Sequence, residues 1–205
     1  MRYTLLALAL LAAAGCGDTT TGNPFVVTWK FASGDCTTNN IKTVQVTATP
    51  GSLSGSADCS AGRVTLAKLA KNGTYSISAK GLDAGGIVRA ENFGMTVHIA
   101  GGAPPDGFEV TLNLKTANVT VNWYGCPNGV ILPYYVTLYK AGGQISDAVA
   151  NTQESCTAKT ATLSNVPPGS YIADLDDRAV TPAVHGSAPV TVYAGEDTSV
   201  TIPLQ

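Results

Sequence analysis

The sequence predicts an all-β protein, two tandem β-sandwich domains behind an N-terminal signal peptide. Three observations carry that prediction. Short β-prone runs rich in Thr and Val recur between clusters of Gly, Pro, Asn and Asp, with no sustained helical periodicity after the N-terminal segment. Four blocks of the first half reappear in the same order in the second half, as a duplicated chain would show them. Beyond Cys16, the remaining cysteines fall two to each half.

The N-terminal segment MRYTLLALALLAAAGC carries one positive residue, Arg2, then an apolar run from Leu5 to Ala14. That run is too short to span a bilayer and fits a secretory signal over residues 1–15. Residues 16–23 are polar and aperiodic and read as a tether. The eight residues after Cys16 reach at most about 26 Å when fully extended.

The strand grammar follows from residue 24 onward. VVTWKF (26–31) matches NVTVNWY (118–124) about Trp29 and Trp123. KTVQVTA (42–48) matches YYVTLYK (134–140), which sets Val44 and Val46 against Val136 and Leu138. VTLAKLAKNGTYSISA (64–79) shares its Thr-Leu and Gly-x-Tyr pattern with the stretch from Thr162 to Tyr171. Pro168-Gly169 suits the centre of a type II turn, and Asn72-Gly73 suits the corresponding reversal in the first copy. FEVTLNL (108–114) matches TSVTIPL (198–204). The domains are therefore expected over residues 24–115 and 117–205, each with six or seven short strands. Trp29 and Trp123, recurring at matched positions, suit core packing.

Five cysteines is an odd number, and an exported protein must account for the extra one. Cys36, Cys59, Cys126 and Cys156 are expected to form disulfides, since no C-x-x-C spacing invites zinc. Four cysteines allow three connectivities; the repeat favours pairing within each half.

Two resemblances extend this reading. Ala13-Ala14-Gly15-Cys16 resembles the lipobox of bacterial lipoproteins, which implies cleavage before Cys16 and lipid on that residue. Gly17 after the cysteine resembles the sorting pattern for an outer-membrane or cell-surface destination. The L-x-x-[LV]-x-P-G-x-Y pattern, Leu163 to Tyr171, resembles the carboxypeptidase regulatory-like domain. Members of that group are small sandwiches, so the resemblance implies immunoglobulin/transthyretin-like folds with structural, adhesive or accessory roles.

Little in the chain speaks for catalysis. A formal net charge of −2 offers no basic patch for nucleic acid. His98 and His185 lie in separate regions, and neither G-x-S-x-G nor S-x-x-K occurs. Asp174, Asp176 and Asp177 form the densest acidic cluster and read as a solvated strand end with Arg178 as counter-charge. No cofactor or metal is expected. The most informative positions come from comparing the copies. The outward positions Thr43, Gln45 and Thr47 give way to Tyr135, Thr137 and Tyr139, so Tyr135 and Tyr139 could form an amphipathic ledge for a ligand. The expected protein is non-catalytic and lipid-anchored in the membrane through Cys16, presenting its sandwiches to an envelope protein or a glycan. The alternative is an extracellular enzyme or inhibitor component acting through its loops.

Overall fold

A computed structural model describes residues 24–66, 69, 72–100, 108–126, 133–178 and 184–205. The expected signal peptide, the tether and Cys16 lie outside the described residues. The described chain is all-β apart from short 3-10 turns. Its first half forms β1 (Phe25–Phe31), β2 (Thr43–Thr49), β3 (Leu53–Asp58), β4 (Arg63–Leu66), β5 (Gly73–Leu82), β6 (Val88–Ile99) and β7 (Phe108–Leu114). The second half forms β8 (Ala117–Trp123), β9 (Pro133–Lys140), β10 (Ala148–Ser155), β11 (Thr160–Val166), β12 (Gly169–Asp176), β13 (His185–Val192) and β14 (Thr198–Ile202).

Pairing gives the two halves one topology. In the second, a four-stranded sheet ordered β10-β9-β12-β13 faces a three-stranded sheet ordered β11-β8-β14. In the first, β3-β2-β5-β6 and β7-β1-β4 have the same order, joined by two residue pairs, Ala90 with Leu114 and Glu91 with Asn113. Alternation buries one face of each strand. Phe25, Val27, Val44, Val46, Ile77, Val110 and Leu112 fill the first core. Val119, Val121, Val136, Leu138, Ala173, Leu175 and Ile202 fill the second. A sandwich is the arrangement that lets two such half-apolar sheets remove those faces from water.

Each core is stapled at one end. Cys36 bonds to Cys59 and Cys126 to Cys156, closing sequence separations of 23 and 30. By loop closure each bond stabilises its domain by about 3–4 kcal/mol. The carbonyl oxygen of Cys59 accepts from the Trp29 indole at 3.2 Å and from the Gly62 amide at 3.1 Å. Cys156 repeats this, accepting from the Trp123 indole at 3.0 Å and from the Lys159 amide at 3.3 Å. Both tryptophans are buried in their cores.

Two details differ from the sequence reading. Val46 and Ala79 are paired as Val136 and Leu175 are, so Val46 matches Val136 and Ala48 matches Leu138. The alignment by pattern was thus displaced by two residues, a shift that leaves every side chain on its own face. Nor does Pro168-Gly169 form a type II turn. Gly169 has φ 159° rather than about +80° and already pairs with Val192 as the first residue of β12. The chain is crossing from one sheet to the other here, since β11 pairs with β8 while β12 pairs with β9 and β13. Glycine suits this position because a Cβ would crowd the Tyr171 ring, 3.2 Å from its Cε2, and the hydroxyl of that ring donates to the Pro167 carbonyl at 2.8 Å. Gly73 likewise opens β5 under the Tyr75 ring, so Asn72-Gly73 is no hairpin turn either.

β1 runs parallel to β7, and β8 parallel to β14. The chain therefore enters each sandwich at one pole and leaves at the other. Only Lys115 and Thr116 separate β7 from β8. The junction is closed by Arg89, which is 4% exposed. Its Nε and Nη2 donate to Asp83 Oδ2 at 2.9 and 2.6 Å, while its Nη1 donates across the junction to the Ala194 carbonyl at 3.0 Å. Nη2 also pairs with Glu196 at 2.9 Å. Asp83 is fixed in turn, its Oδ1 accepting from the Gly85 and Ile87 amides. The Ile87 amide, with smaller help from Arg89 and the Gly85 amide, holds the Asp83 carboxyl below its ordinary 3.8 against the opposing effect of burial.

A depressed carboxyl contributes stability above its unfolded pKa and loses it as pH falls through the lower folded value. Asp83→Asn should therefore unfold at lower urea concentration than the parent at neutral pH. The gap should close progressively below pH 3.8. Urea titrations over a pH series measure it, and a gap that persists in acid would remove the carboxylate from this role.

Candidate functional site

The outer face of the sheet β10-β9-β12-β13 carries the expected tyrosines. Alternation along β9 puts Tyr134, Val136 and Leu138 inward and leaves Tyr135, Thr137 and Tyr139 outward. Tyr134 meets Trp123 edge-on at 5.6 Å between ring centroids, at the end of the core. Burial, with the nearby charge of Asp177, pushes the Tyr134 phenol up, which suits a packing role for it.

Pairing places Gln153 opposite Tyr135 and Asn151 opposite Thr137 on edge strand β10. These four residues line a groove of about 520 Å³, with Thr137 buried at 9% exposure. Ile145, Ser146 and Ala148 build one further wall, from the β9–β10 connection and the start of β10. Arg178 builds another. Tyr139 lies on the same face, half-buried, but does not line this groove.

The first sandwich has a smaller version in the same place. Gln45, Thr47, Ser54, Gly55 and Ser56 line a groove of about 270 Å³. By pairing, Gln45 with Ser56 and Thr47 with Ser54 correspond to Tyr135 with Gln153 and Thr137 with Asn151. Two changes enlarge the second copy. A tyrosine replaces a glutamine, and the connection at 141–147 replaces the short one at 50–52.

Arg178 is the residue that sequence reasoning misassigned. Among the described residues its guanidinium makes no ion pair with the neighbouring aspartates. It lies 3.7 Å from the centroid of the Tyr135 ring, a cation–π stack. Its backbone amide meets an aspartate, donating to Asp176 Oδ1 at 2.8 Å. The acidic cluster is also less solvated than expected, with Asp174 and Asp177 at 4% and 8% exposure. Asp174 Oδ2 lies 2.8 Å from His185 Nε2, while no donor among the described residues reaches its Oδ1.

The histidines stay apart. His98 meets Thr74 Oγ1 at 3.0 Å on the first sandwich, and His185 meets Asp174 on the second. Neither lines the grooves described here. Among the described residues no group of three or more His, Cys, Asp or Glu could hold a metal ion. What the groove offers is an aromatic ring, one cation and a set of hydroxyls and amides. That is a binding inventory.

No family model matches the chain, and no curated protein matches it. Among solved structures it is similar to the Bacillus anthracis TIE protein at 12% identity and TM-score 0.43, over 87% of this chain and 33% of that one. It thus spans about a third of that protein's length. A candidate adhesin from Bacteroides ovatus matches at 11% identity and TM-score 0.39, over 88% of this chain and 87% of its own. The major pilin protein of Streptococcus pyogenes matches at 11% identity and TM-score 0.29, over 89% and 96%.

If the groove is a surface device and the tryptophan node a structural one, their variants should melt differently. Trp123→Phe strands the Cys156 carbonyl with one donor fewer and leaves a void, costing about 3 kcal/mol and lowering the melting temperature by more than about 10 °C. Tyr135→Ala loses one half-buried surface stack, about 1 kcal/mol. Calorimetry separates the two, and a larger drop for Tyr135→Ala would make that ring part of the core.

Proposed function

We propose that the protein is a lipid-anchored, non-catalytic binding protein of the bacterial envelope, and that its second sandwich holds a saccharide in the groove beside Tyr135. The observation that carries this reading is the groove itself. An aromatic edge beside Thr137, Ser146, Asn151 and Gln153 gives a sugar ring an apolar face to lie against and partners for its hydroxyls. The smaller polar groove of the first sandwich supports it, because the same location was elaborated in one copy only. The separate placing of the histidines supports a role without catalysis. A lipid on Cys16, expected from its lipobox-like surroundings, would hold the first sandwich near the membrane. The pole-to-pole course of the chain would then put the second sandwich, with its groove, on the far side.

Retention on immobilised envelope polysaccharide tests the groove. Tyr135→Ala should weaken retention by at least about fivefold, the scale of an aromatic anchor, and unchanged retention would refute the assignment. The anchor is tested separately. Mass spectrometry of membrane-extracted protein should find Cys16 as an acylated N-terminal residue, and an unmodified Cys16 would refute lipidation.

A further inference from the structure

Resting on that saccharide reading, we propose that the groove selects saccharides bearing a carboxylate, with Arg178 as the residue that binds it. Among the described residues, Arg178 is the sole charged side chain lining the groove. Its guanidinium packs against Tyr135 and makes no ion pair among the described residues. A guanidinium stacked through its face keeps its N–H edge for other partners, and a carboxylate matches two of those donors at once.

The backbone holds this geometry ready. Arg178 has φ 53°, a left-handed conformation that non-glycine residues rarely adopt. Strain of this kind persists where the surroundings enforce it and gathers at binding sites. The Asp176 carboxylate accepts from the Arg178 amide at 2.8 Å, a contact that ties down the backbone at this point. Asp176 sits opposite both Tyr135 and His185 across the sheet, and it is an acid that opposes an anionic ligand here. Asp174, opposite Thr137 on the same face, is a second such acid, buried, with its Oδ2 at His185 Nε2 and no donor among the described residues at its Oδ1. Asp177 lies on the inward side near Tyr134. Among the described residues the groove of the first sandwich is lined by neither an aromatic nor a cation, so the selectivity belongs to the second.

The test uses the full chain with two probes, polygalacturonate and its methyl ester, which share a backbone and differ in charge. Calorimetry at low salt should show tighter binding of polygalacturonate by about tenfold or more, the worth of a charge-assisted hydrogen bond, and the preference should fade as salt rises. Arg178→Gln should abolish the preference. Arg178→Lys, which keeps the charge without the fork, should restore it only in part. Asp176→Asn, which can still accept from the Arg178 amide, should strengthen polygalacturonate binding. Equal binding of both probes, or a preference that survives in Arg178→Gln protein of unchanged melting temperature, overturns the proposal. If Tyr135→Ala nevertheless weakens both probes equally, the saccharide reading stands without it. If neither probe binds the parent protein, both fall together.

Discussion

In each sandwich one carbonyl oxygen organises the end of the core. The second half-cystine, Cys59 or Cys156, accepts from a tryptophan indole on the first strand and from an amide three residues ahead in its own turn. The same residue is tied through sulfur to the loop after that first strand. One residue therefore joins a strand of the three-stranded sheet, the loop that follows it and the turn into the next strand of that sheet. A buried carbonyl costs stability if it lacks donors, so the indole is needed both for its area and for its N–H. This explains why tryptophan, the least replaceable apolar residue, stands at the same point of both copies.

That node was legible in the sequence because it is made of rare residues at repeated spacing. Other features were not, for identifiable reasons. Period-two alternation tells which face a residue occupies but not which partner it has, so a displacement by two leaves the pattern intact. Only the pairing of Val46 with Ala79 and of Val136 with Leu175 fixes the match. Pro168-Gly169 was misread because glycine has two uses. Positive φ is the familiar one, while here the space above Gly169 belongs to the Tyr171 ring. Arg178 was misread because charge proximity along the chain invites an ion pair. An aspartate can spend its oxygen on a backbone amide instead, and that leaves the guanidinium for a ring across the sheet. No local signal distinguishes these outcomes before the strands are paired.

The two copies separate what the fold requires from what it permits. Residues facing inward keep their character between copies, since both cores must fill similar volumes. Outward residues of β2 and β9 carry no such obligation, and there Gln45 and Tyr135 differ most. An edge strand also accepts a longer connection at small entropic cost, which is how the wall containing Ile145 and Ser146 was added without disturbing the pairing of β9 with β12. Groove growth is thus confined to positions that the core does not constrain.

The junction gives that divergence its use. Two linker residues alone would let the sandwiches swing, because short linkers restrict reach more than orientation. Arg89 removes much of this freedom, reaching from β6 to the Ala194 carbonyl while the backbone joins Lys115 to both Arg89 and Gly195. A buried guanidinium tolerates such a position only when its donors are met, and here Asp83, Ala194 and Glu196 meet them together. Separating the domains would break the contacts to Ala194 and Glu196 and leave Arg89 with Asp83 alone. The groove on the second sandwich is therefore carried on a joint whose opening costs the hydrogen bond and the ion pair that Arg89 makes across it, so contacts of Arg89 as well as the short linker hold it in place relative to the first sandwich.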